Sequence, residues 1–117
     1  MKVLLDYKFT NLNTYIDICR RNKYQANKIK QAETEYARLM FRNIPVYEPP
    51  VELIFTWHIK NTCSDLDGKL AKNIIDGLVK AKKIPDDNVK YIQKITHIYQ
   101  KDIKDYVEIE IKNASDN

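Results

Sequence analysis

The chain has 117 residues, with 20 Lys and Arg against 16 Asp and Glu and a formal charge of +4, and its isoelectric point lies near 9.0. This length makes a single domain over residues 1–117, with no room for a second core. A hydrophobic share of 44 % and only two glycines exclude a disordered or low-complexity chain. No apolar run approaches the roughly 20 residues of a membrane span and the start has no secretory pattern, so a cytoplasmic protein without membrane contact is expected.

Residues 2–9 alternate, with Val3, Leu5, Tyr7 and Phe9 on one side and Lys2, Asp6 and Lys8 on the other. That period of two predicts a strand. Asn11 or Asn13 can cap a helix from about Thr14, because a side-chain oxygen there accepts from free backbone amides. An apolar stripe of Leu12, Tyr15, Ile16 and Cys19 fades from Arg21 to Asn27 and resumes at Ile29, Ala32, Tyr36 and Met40. Two helical pieces separated by a basic break are predicted. Pro45, Pro49 and Pro50 end the helical region, since proline removes an amide donor and restricts its predecessor.

Residues 51–60 predict a second strand, with Val51, Leu53, Phe55, Trp57 and Ile59 on one face and Trp57 read as a core aromatic. Residues 67–82 predict an amphipathic helix whose buried arc is Leu70, Ala71, Ile74, Ile75 and Leu78. Lys72 and Asp76 stand one turn apart on its flank. Pro85-Asp86-Asp87-Asn88 predicts a turn. Strands follow over 89–100 and 105–112, the latter alternating through Val107, Ile109 and Ile111, and their short connection suggests an antiparallel hairpin. The expected fold is α/β (α+β), a mixed four-stranded sheet with helices in the order β-α-β-α-β-β.

Basic residues cluster twice. Arg20, Arg21, Lys23, Lys28 and Lys30 fall in a stretch without an acid, and Lys69, Lys72, Lys80, Lys82 and Lys83 stand against Asp76 alone. Such patches are the usual footprint of a phosphate-backbone binder, although a solvated helix face has the same composition. Cys19 and Cys63 are too few and too far apart for a disulfide framework or zinc pattern. Cys63, His58 and His97 have no metal-ligand spacing.

The acids Asp65, Asp67 and Asp87, with Lys72 between them, carry the chemistry. Alternate residues of an extended segment project to one side, so Asp65 and Asp67 make an efficient ligand pair. Carboxylates suit Mg²⁺, a hard cation that prefers oxygen, and a bound cation reverses the local sign so that a phosphodiester can approach. Asp67 can also serve as a helix cap, and Asp86 or Asp87 as a turn residue.

The segment SDLDGKLAKNIIDGLVKAKKIPDDNVKYI, residues 64–92, resembles the RusA-type Holliday junction resolvases, small phage and prophage endonucleases. Their pattern is Asp-x-Asp, a lysine, then Asp-Asp before a strand. Gly68 stands where that family has Asn, and Lys72 lies one residue further on. The spacing from Lys72 to Asp76 matches, so an extra residue near Gly68 and Lys69 assigns the lysine role to Lys72 rather than Lys69.

The resemblance implies a Mg²⁺-dependent endonuclease, with Mn²⁺ as an alternative cation, acting as a homodimer on four-way DNA junctions in recombination and repair. It implies metal ligation by Asp65, Asp67 and Asp87, with Lys72 stabilising charge on the phosphorane. Arg20, Arg21, Lys23, Lys28, Lys30, Lys69, Lys80, Lys82 and Lys83 are the expected DNA contacts. The competing expectation is a non-catalytic DNA-binding protein with a degenerate acidic pocket. Convergence of the acids in one subunit favours antiparallel pairing of the 51–60 and 89–100 strands. A dimer that brings the sheet edges together is another route.

Overall fold

The computed structural model describes residues 1–61 and 71–114. Their elements run β1 (Lys2–Leu5), α1 (Leu12–Arg21), α2 (Lys23–Phe41), β2 (Val51–Ile59), α3 (Ala71–Lys80), β3 (Ile92–Lys101) and β4 (Tyr106–Asn113). The strands form one mixed sheet in the order β1-β4-β2-β3, so the fold is α+β. The helical break falls at Asn22, whose side chain accepts from the amides of Tyr24 and Gln25 and starts α2. Asn11 stands at the N-cap position of α1 but makes no side-chain cap bond.

β2 is the most apolar strand and occupies the interior of the sheet. Val51, Leu53 and Phe55 are fully buried and Trp57 nearly so, as their alternation predicts. Val107, Ile109 and Ile111 of β4 share that face by register with β2. Ala37 and Phe41 of α2 and Ile74, Ile75 and Leu78 of α3 belong to the same core. Both helices therefore cover one face. The other carries half-exposed Glu52, Thr56, Glu108 and Glu110, the alternation of a sheet that is solvated on one side.

Two expectations about pairing are overturned. β2 and β3 are parallel, not antiparallel, because α3 is a crossover connection and returns the chain to the start of β2. β3 and β4 form no hairpin: they lie on opposite sides of β2, which pairs antiparallel with β4. The connection between them crosses the end of β2. There the Asp102 amide donates to the Ile59 carbonyl (2.9 Å) and the Lys60 amide to Asp105 Oδ1 (2.9 Å). A buried strand must satisfy its backbone groups on both edges, and β2 does so only with a neighbour on each side.

The apolar stripe expected on α2 is also displaced. Ala32 is exposed and Met40 39 % exposed, Tyr36 packs partly buried against the core as expected, and Ala26, Glu33, Thr34, Ala37 and Phe41 are buried. α3 crosses this face at Gly77, where an added Cβ would lie 2.5 Å from Ala37 Cβ. Glycine is required there by close approach.

Glu33 is only 1 % exposed. Its Oε2 accepts from the Thr10 amide (2.9 Å) and hydroxyl (2.7 Å), and its Oε1 from Asn73 Nδ2 (3.0 Å). One side chain thus joins the segment before α1, the middle of α2 and the first turn of α3. Glu33→Ala strands three donors in the interior, and the expected loss of folding free energy is about 3 kcal/mol. Urea unfolding measures it. A loss below 0.5 kcal/mol would mean that water replaces the carboxylate at no cost.

Candidate active site around Lys72 and Asp87

The exposed flank of α3 follows from its helical period. Ile74, Ile75 and Leu78 face the core, which leaves Lys72 and Asp76, one turn apart, on the side. The Lys72 ammonium lies 3.4 Å from Asp76 Oδ1 and 3.1 Å from Asp87 Oδ2. Asp87 arrives from beyond the helix, because the chain after α3 turns back along it. The parallel pairing of β2 and β3 therefore does not keep Asp87 from α3.

The neighbouring acids divide their roles. Asp86 is the turn residue: its Oδ1 accepts from the Asp87 amide (2.8 Å), while Asn88 Oδ1 accepts from the Lys90 amide (3.0 Å). Asp87 reaches Lys72 instead. The hydrogen bond that Lys72 donates to Asp87 raises the Lys72 pKa above its ordinary value, against a smaller opposing effect of burial. The same bond holds the Asp87 carboxyl below the usual range. Lys72 is thus a fixed cation through the neutral range, suited to balancing charge and unsuited to giving up a proton.

Asp65, Asp67, Lys69 and Cys63 lie outside the described residues. Among the described residues no group of three acidic, histidine or cysteine side chains is placed to hold a metal. Carboxylate oxygen is the right donor for a hard cation, and Asp87 is the one expected ligand within the described part.

Among the described residues, the expected DNA contacts border different hollows. Lys30 of α2 and Lys80 of α3 line a shared groove with Asn27, Gln31 and Asp76, which joins them to the Lys72 flank. Arg20 borders a separate hollow with Asn13 and Asp17 on α1, and Arg21 pairs with Asp17 at 3.0 Å. Lys23 and Lys28 are exposed on α2. Lys82 and the half-buried Lys83 end α3: the Lys83 amide donates to the Leu78 carbonyl and the Lys82 amide to that of Val79, the paired bonds of a Schellman cap.

A second polar cluster, which the sequence did not signal, stands at the far end of β2. His58 is 8 % exposed and stacks on Tyr106 at 4.0 Å. Its Nδ1 lies 3.1 Å from Asp102 Oδ2, which also accepts from the Tyr106 hydroxyl at 2.9 Å. Glu108 Oε1 is 3.3 Å from Nε2 without forming a hydrogen bond. The Ile103 amide and then the Tyr106 hydroxyl hold the Asp102 carboxyl below its ordinary range. The two carboxylates face opposite sides of one ring, so they cannot chelate a common ion with it. His97 belongs to the other face, where it stacks on Phe55 and Nδ1 accepts from Trp57 Nε1 (2.9 Å). Burial lowers its pKa. His58 and His97 therefore share no metal.

Sequence reasoning also missed Glu33 and Asn73, which fix the turn carrying Lys72. The available signal was the spacing of Glu33 from Ala26, Ala37 and Phe41, all on one helical face.

Lys82 has a φ of 62°, a left-handed conformation that costs a side-chain-bearing residue about 1–2 kcal/mol. Lys82→Gly is expected to raise stability by about 1 kcal/mol in chemical unfolding. A destabilised variant would show that the Lys82 stem supports the cleft it borders with Tyr47 and Ile84.

No known protein-family model matches the chain, and no curated protein matches it.

Proposed function

We propose that this protein is a Mg²⁺-dependent, structure-selective endonuclease of the RusA type that hydrolyses phosphodiester bonds in four-way DNA junctions, working as a homodimer. The observation that carries the proposal is the meeting of Lys72 with Asp87 at 3.1 Å. The resemblance assigns a role to those two residues, fifteen positions apart. Asp86, the adjacent acid, is occupied in the turn.

In this proposal Asp65, Asp67 and Asp87 hold the cation, which when bound lowers the pKa of water and stabilises charge on the phosphate. Lys72 balances the excess negative charge that develops at phosphorus. Its raised pKa supports that electrostatic role. Asp76 keeps the lysine stem oriented along the helix flank. Lys30 and Lys80 border the groove that leads to this flank, a suitable path for one strand of the DNA backbone.

A second function is favoured by one specific feature. The Lys72 ammonium already bridges Asp76 and Asp87 and offsets part of their charge, as it would in a DNA-binding protein with a degenerate acidic pocket. Strand cleavage distinguishes the two. With a synthetic four-way junction and Mg²⁺, the nuclease produces mapped, symmetric nicks. Asp65→Asn, Asp67→Asn and Asp87→Asn each abolish them while junction binding persists, and Asp86→Asn loses less activity. Lys72→Ala slows single-turnover cleavage roughly a hundredfold to a thousandfold, by analogy with a lost oxyanion donor worth about 2.7–4 kcal/mol. Lys69→Ala stays near the parent rate. A binder without catalysis yields no nicks with any of these proteins.

Junction binding is expected to weaken steeply with salt, since each lysine or arginine on a phosphate releases condensed counterions. Replacing both Lys30 and Lys80 by Ala should flatten the slope of log K against log salt by roughly one for each real contact. Arg20 and Arg21, in the last turn of α1, provide the comparison. If only the arginine pair changes the slope, the backbone runs along α1 instead of the α2–α3 groove.

A further inference from the structure

β3 is an edge strand of ten residues, and among the described residues nothing pairs with its outer side. The direction of its free backbone groups follows from one bond. The Asp102 amide donates to the Ile59 carbonyl, so alternate residues back along the regular ladder face β2. Ile95 and His97, which fall between them, direct their amides and carbonyls outward. The irregularity at the start of the β2–β3 ladder lies between Val51 and Glu52, before this stretch begins.

The centre of the strand lacks the features that protect a free edge. Natural edges are blunted by charge, proline, bulges or shortness. Residues 95–99 read Ile-Thr-His-Ile-Tyr, with no charge and no proline, inside a regular register. Ile95 on the helix-covered face is 44 % exposed and Ile98 on the open face 47 % exposed. Both faces of the strand therefore leave apolar surface at the edge. The lysines come only at its flanks, Lys94 and Lys101.

We infer that the outer edge of β3 is the dimer surface, joining two copies antiparallel across a twofold axis near His97 into one continuous sheet. This rests on the two-subunit part of the proposed function and names its interface. The strand is its own complement in that arrangement. With the axis at His97, Ile95 of one copy faces Tyr99 of the other, and Thr96 faces Ile98. Lys94 faces Gln100, so no two like charges oppose each other where cross-strand pairs are closest. A twofold antiparallel contact uses the same patch on both subunits and closes on itself, which an unrelated extended peptide would not require. The outward amides of Ile95 and His97 gain acceptors, and the exposed isoleucines gain a neighbouring strand.

Sedimentation equilibrium of the full chain, without DNA or metal, tests the inference. The parent protein at tens of micromolar is expected near twice its 13.9 kDa mass. Ile95→Pro removes an outward amide while leaving the bonds to β2 intact, and Ile95→Lys places a charge at the centre of the edge. Both variants are expected at the single-chain mass with unchanged far-ultraviolet circular dichroism. In the parent, exchange of the Ile95 and His97 amides should slow as concentration rises, a readout that needs no variant. A monomeric parent with concentration-independent exchange overturns both this inference and the two-subunit proposal. A dimer that survives in folded Ile95→Lys, or a dimeric parent without protection at Ile95 and His97, overturns the β3 surface alone.

Discussion

A buried carboxylate holds the helical layer together. Glu33 is almost fully removed from solvent, a costly place for an acid unless its oxygens are matched by donors. Thr10 and Asn73 supply three such bonds. Their consequence reaches the surface, because Asn73 follows Lys72 directly on the first turn of α3. The turn that presents the lysine is fixed from beneath by a residue on α2. Gly77 lets the two helices approach closely, so the same interface is tight at both ends of α3.

The sheet supplies the second constraint. β2 is buried and must be bonded along both edges, and its two neighbours run in opposite directions relative to it. That requirement separates β3 from β4 although only four residues connect them. It also leaves β3 outermost. The crossover through α3 carries the chain back to the start of β2, and the return segment brings Asp87 to the helix flank on its way. The candidate site and the free edge are thus both products of the position of β2.

Electrostatics then sorts residues that look alike in sequence. Asp86 and Asp87 are adjacent acids, but one closes a turn and the other faces an ammonium. Lys30 and Lys80 are fifty positions apart and share a groove, whereas Arg20 and Lys30 belong to one basic stretch and border different hollows. Charge runs along a helix do not report which residues share a face with another element.

What the sequence determined by itself is local. A period of two identified β2 and β4 with their buried residues, the loss of apolar periodicity marked the break between α1 and α2, and prolines marked the end of the helical region. Helical spacing also put Lys72 and Asp76 together on one flank. Tertiary structure decided the strand order, the parallel pairing of β2 with β3, the burial of Glu33 and the meeting of Lys72 with Asp87. The physical reason is that periodicity reports how one segment divides its side chains between two environments. Backbone hydrogen bonds between strands carry no side-chain label, so pairing is chosen by which arrangement satisfies the buried strand on both edges. A polar residue on an apolar arc is likewise undecided until another element brings donors to meet it, as Thr10 and Asn73 do for Glu33.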